Sequence, residues 1–125
     1  MKIGNEIVMD SNELKARTKK FAHRCVKLSI SLPKTTLGRH IKLQLIRCAT
    51  SVAANYRATV LAQSSASFTS KLSIVLEEID EATFWLEFID EEKLLTPAQI
   101  GALLKESNEL TAIFFAARKT LKQKA

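Results

Sequence analysis

Phe68, Leu72, Val75, Ile79, Ala82, Leu86 and Ile89 recur at alternating steps of four and three residues. That spacing gathers side chains along one stripe of an α-helix, whereas a strand would need a period of two. Helical periodicity runs through the whole 125-residue chain, and no alternating strand pattern interrupts it. The fold class is therefore all-α.

Breaks in the pattern predict four helices. The first spans about 11–32, opened by Asp10 and Glu13 as a capping box and closed by Pro33. Its apolar set is Leu14, Phe21, Ala22, Cys25, Leu28 and Leu32. The second follows "PKTTLG", capped by Thr35 or Thr36, and covers about 36–62. The third starts after the serine-rich "QSSAS" and covers about 65–91. The fourth covers about 97–122, with Thr96 as N-cap, Pro97 at the first helical position and Gln99 placed to complete a capping box. Its seam is Ile100, Leu103, Ser107, Leu110, Phe114, Ala117 and Leu121. Short connections make consecutive helices antiparallel neighbours, so an up-down-up-down four-helix bundle follows, one domain over residues 1–125. With 46% apolar residues, three Gly and two Pro, the chain has the means to build a continuous core.

Two of these helices carry more apolar surface than one bundle uses. Wound at about 100° per residue, the second helix collects Ile41, Leu45, Cys48, Ala49, Val52 and Tyr56 on one side. Leu43, Ala54 and Leu61 fall on the other. Behind the seam of the third helix lie Ile74, Phe84, Trp85 and Phe88, mixed with Glu77 and Glu81. A second apolar face needs cover, and a symmetric homo-oligomer is the expected source.

The net charge of +6 is unevenly spread. Residues 1–63 hold twelve Lys and Arg against three acids, a net of +9, and residues 64–125 hold seven against ten, a net of −3. On the first helix Arg17, Lys20, Arg24 and Lys27 form one row, expected roughly opposite the apolar face with His23 close by, and Lys34 and Arg39 extend it into the second helix. Such a row suits a phosphate backbone, whose counterions it displaces. No aromatic residue interleaves with it, so contact with RNA or DNA should follow the backbone rather than the bases.

Enzymatic signatures are missing. There is no glycine-rich phosphate loop, no Cys-x-x-Cys and no cluster of histidines. A carboxylate-bridged metal pair in a bundle needs Glu-x-x-His, but Lys20 and Leu37 stand three residues before His23 and His40. Ser51 has no base at helical spacing. No catalytic residue, metal or cofactor is expected. Cys25 and Cys48 fall on apolar faces and read as buried free thiols. No apolar run reaches the length of a membrane span, and "MKIGNEIVMD" lacks the apolar segment of a signal peptide, so a cytoplasmic location is expected.

The stretch "QLIRCATSVAANYR", residues 44–57, resembles the signature of the small bacterial four-helix-bundle proteins encoded within 23S ribosomal RNA intervening sequences. "SFTSKLSIVLEEIDEATFWLEFI" is similar to that family's second block. The resemblance covers about residues 11–122. Gln44, Arg47, Ser51 and Asn55 match the first block, and Lys71, Glu78, Glu81, Trp85 and Glu87 match the second. The resemblance implies an up-down-up-down bundle assembled as a five-fold ring. Related accessory proteins of diversity-generating retroelements imply, as partners, nucleic acid and a reverse transcriptase, or a ribosomal RNA context. Many members carry an acid three positions after the Asn, where Ala58 stands here, followed by Thr59. That departure makes the end of the second helix more positive.

A polar strip of His40, Gln44, Ser51 and Asn55 borders the core face of the second helix. It is expected to satisfy groups across a helix seam and to set the register of assembly; a ligand cleft is the competing reading. Leu43, Gln44, Arg47, Ser51, Asn55, Leu61, Ile74, Glu77, Glu81, Phe84, Trp85 and Phe88 are thus the expected interface or register residues. Two functions compete: an oligomeric nucleic-acid-binding accessory protein without catalysis, and a protein-binding scaffold in which the basic half of one copy meets the acidic half of another.

Overall fold

A computed structural model describes residues 10–124, with side chains through residue 120. Leu121 of the predicted fourth seam lies outside the described side chains, as residues 1–9 of the domain span lie outside the described chain. Four helices make up the fold: α1 (Ser11–Ile30), α2 (Thr36–Val60), α3 (Ser65–Glu91) and α4 (Pro97–Lys124). Each packs on the helix before and after it in sequence, and a lighter α1–α4 contact closes the square.

The caps act where the sequence places them. Asp10 accepts the Glu13 backbone N–H at 2.8 Å, and Thr35 accepts that of Gly38 at 3.0 Å. Ser64 does the same for Ser67, and Thr96 and Gln99 bond reciprocally through side chains and backbone. Each side-chain oxygen satisfies an N–H that the first turn of a helix leaves without a partner. The C-termini of the first two helices fall earlier than the apolar pattern extends. α1 stops at Ile30 because Pro33 disfavours helical backbone at Leu32, though Leu32 stays buried against the core. α2 stops at Val60, and its last carbonyls are taken by three-residue turns to Leu61 and Ala62.

Two connections depend on particular residues. A Cβ on Gly38 would stand 1.9 Å from the Pro33 carbonyl oxygen, so the α1–α2 turn closes only around a glycine. After α3 the chain turns through Lys93 with φ of 54°, and Leu94 N–H reaches the Ile89 carbonyl at 3.0 Å. This left-handed residue with a six-to-one bond ends the helix without glycine.

The predicted stripes form one core, centred on Phe21, Leu45, Tyr56, Ile79, Leu86 and Phe114, all fully buried. Thr83 of α3 lies 3.1 Å from the Ser107 hydroxyl of α4 and 2.8 Å from its own turn's Ile79 carbonyl, which satisfies the polar atoms inside that seam. The Tyr56 ring packs on Phe114 at 5.3 Å, and burial pushes its hydroxyl up to about 12.

Candidate interaction surfaces

The two motif-bearing stretches meet across the outer side of the α2–α3 seam. Arg47 of α2 is ion-paired with Glu81 of α3, reaches Glu78 at 3.4 Å, and donates to the Gln44 side-chain oxygen at 3.4 Å. The Trp85 indole N–H donates to Glu81 at 3.2 Å, and His40 meets the Trp85 ring edge-on at 5.5 Å. The Arg47 guanidinium, helped by the Trp85 N–H, holds the Glu81 carboxyl below the ordinary carboxylate range. Phe84 and Phe88 extend the aromatic cluster, with centroids 4.9 and 6.1 Å from Trp85.

Two of the expected interface or register residues form bonds within the chain. Glu81 is bonded to Arg47 and Trp85. The Asn55 amide donates to the Ser51 carbonyl and hydroxyl at 2.9 and 2.8 Å, within α2, because an i to i+4 step brings these groups together. Gln44, Ser51, Asn55, Trp85 and Phe88 are half-buried. Leu43, Leu61, Ile74, Glu77 and Phe84 are exposed.

The basic row lies on the flank of α1 beside α4 rather than opposite the core. Arg17 is not available along it: its Nε and Nη2 each donate to a Glu106 carboxylate oxygen at 2.7 Å, and Glu109 stands 3.7 Å away. Arg24 and Lys27 border a shallow depression with Leu28, Gln99 and Leu103. Lys20, Lys27 and Lys34 are exposed, and so is Arg39, whose guanidinium donates to the Lys34 carbonyl at 3.1 Å.

On the other flank of α1 lies an open groove of about 770 Å³ shared with α2. Alanines at 16, 22, 53 and 54 form much of its floor, and Lys15, Lys19, His23 and Arg57 edge it. The row reading missed Lys15, Lys19 and Arg57; the i, i+4 spacing of the two lysines, away from the row, was the available signal.

Among the described residues no three His, Cys, Asp or Glu side chains gather as a metal site, and no helix is long and apolar enough to cross a membrane. Burial pushes the Cys25 thiol above its ordinary range and Cys48 up to about 12, which keeps both as thiols rather than thiolates.

The family model described as 23S rRNA-intervening sequence protein matches residues 10–116. The chain belongs to that family. A solved structure of a protein of unknown function from the S23 ribosomal protein family of Bacteroides thetaiotaomicron VPI-5482 is 32% identical, with a TM-score of 0.80. The match covers 90% of this chain and 100% of that one. A comparison with curated proteins gave no match. The solved structure shares the fold over nearly the whole chain, and neither match indicates an enzyme family. Of the residues that carry the resemblance noted in the sequence, Gln44, Arg47, Glu78, Glu81 and Trp85 join in the α2–α3 network, while Ser51 and Asn55 bond to each other within α2.

Proposed function

We propose that this member of the family is a non-catalytic, homo-oligomeric protein that binds the phosphate backbone of RNA or DNA through the cationic side of α1. One observation carries the reading. Among the described residues, ion pairs within 4 Å engage only two cations, Arg17 and Arg47. Lys20, Arg24, Lys27, Lys34 and Arg39 therefore keep their charge unneutralised along one edge of the bundle. Charges so arranged gain by releasing condensed counterions from a nucleic acid. The aromatic cluster of Phe84, Trp85 and Phe88 sits on α3, away from this row, which supports backbone contact without base reading. The name of the family, which attaches it to 23S rRNA, is in keeping with an RNA partner. Apolar side chains left exposed on α2 and α3 support assembly of several copies.

The test is a binding titration with RNA and DNA oligonucleotides of mixed sequence. Replacing Lys20, Arg24 and Lys27 by Gln is expected to weaken binding to all sequences alike. Arg17→Gln, which alters a cation already paired with Glu106, is expected to leave affinity nearly unchanged. Equal losses from both variants, or none from the triple variant, contradict the reading.

A further inference from the structure

We propose that the groove between α1 and α2 seats a second copy of this chain, entered by the outer face of that copy's α3. The inference rests on the homo-oligomeric reading above and adds which two faces meet.

The groove has the form of a helix seat. Alanines and Thr50 keep its floor shallow, so a third helix can lie close between the two that build it. Its floor continues beyond the central depression. On the helical winding, Leu43 and Leu61 share the α2 stripe of Thr50, Ala54 and Arg57, and Ile30 shares the α1 stripe of Lys19, His23 and Val26. Those three side chains are 68%, 76% and 64% exposed. Single exposed apolar residues are ordinary, but a stripe aligned with a groove marks a contact surface.

Charge selects the occupant. The charged side chains described along the groove, Lys15, Lys19 and Arg57, are all cationic. The fitting partner is a helix with an apolar ridge and an acidic flank, and α3 has both. Ile74 and Phe84 are 42% and 52% exposed and Phe88 is half-buried, while Glu77, Asp80, Glu87 and Glu91 stand exposed beside them. Lengths agree as well: Asn12 to Val26 along the groove and Ile74 to Phe88 along the ridge each rise about 21 Å at 1.5 Å per residue. Groove and ridge lie on different faces of the bundle, so the contact is head to tail, each copy receiving one neighbour and entering another. The row of Lys20, Arg24 and Lys27, on the opposite flank of α1, stays open.

The experiment measures solution mass by light scattering on the full chain and on two charge-reversed variants. One carries Lys15→Glu, Lys19→Glu and Arg57→Glu in the groove; the other carries Glu77→Lys and Glu87→Lys on α3. The parent is expected to assemble, and each variant alone to fall to the 14.0 kDa of a single chain. An equimolar mixture should rise above the single-chain mass, because the acidic groove of one accepts the basic α3 of the other, although strict alternation of the two closes a ring only for an even number of copies. Circular dichroism checks folding, and Ala54→Arg, one bulky charge on the groove floor, replaces the triple reversal if that variant melts early. A single-chain parent, variants that keep the assembled mass, or separated variants that fail to recombine each overturn the proposal. So does a groove variant of unchanged mass that loses nucleic-acid binding, since the groove would then seat phosphates. Mass tests the groove while titration of the row variants tests the phosphate reading, so the two fail separately.

Discussion

Arg17 of α1 grips Glu106 of α4 through two parallel hydrogen bonds of 2.7 Å, a fork on a carboxylate with both side chains largely shielded from solvent. It is the cross-link of the seam where α1 and α4 touch most lightly. Charge-assisted paired bonds of this geometry exceed a surface ion pair in strength. Arg17→Gln should therefore lower stability by about 1–2 kcal/mol, seen as a lower melting temperature. Lys at 17 should restore only part of that loss, because a single ammonium cannot span both carboxylate oxygens. Equal melting of all three proteins contradicts the assignment.

Gly38→Ala reverses the usual sign. Within a helix, alanine ordinarily stabilises over glycine by about 1 kcal/mol. Here the added Cβ meets the Pro33 carbonyl oxygen at 1.9 Å, which only a backbone shift relieves. The expected result is a loss of more than about 2 kcal/mol in urea unfolding. A stabilised variant would show that the α1–α2 turn yields easily.

Lys93 carries a steric cost at its φ of 54° that glycine avoids. Lys93→Gly keeps the Leu94 to Ile89 bond and should gain about 0.5–1 kcal/mol, measured as a rise in melting temperature. A fall would mean that the lysine side chain contributes more than its backbone strain costs.

Trp85 reports on Glu81, and it is the single tryptophan of the chain. The Arg47 hydrogen bond lowers the folded-state pKa of Glu81 below its unfolded value. The stabilising share is thus present above the unfolded value, about 4.3, and is lost as pH falls through the folded one. Trp85 emission should show a step below about pH 4.3, and Glu81→Gln should remove it. The same step in both proteins would assign the transition elsewhere.

The parts legible in the sequence are those that local chemistry decides. Thr96, Pro97 and Gln99 locate the start of α4 because their partners lie within one turn, and the four-three rhythm from Phe68 to Ile89 fixes the buried side of α3. Arg17 was unreadable by the same means. Its partner is 89 residues away, so nothing in the row of Arg17, Lys20, Arg24 and Lys27 separates the one paired cation from the rest. Arg47 likewise finds its acids 31 and 34 residues on. The groove between α1 and α2 escaped because alanines announce neither a core nor a site. It exists only once two helices place Ala16, Ala53 and Ala54 side by side.

The salt dependence of RNA binding tests the central claim most directly. Removing one lysine or arginine that neutralises a phosphate should reduce the slope of log affinity against log salt by about 0.7 for a single strand and 0.9 for a duplex. For a mixed-sequence duplex, replacing Lys20, Arg24 and Lys27 by Gln should therefore flatten the slope by about 2–3, with affinity lowered at every salt concentration. An unchanged slope and affinity would contradict the assignment of the α1 row as the phosphate-binding surface.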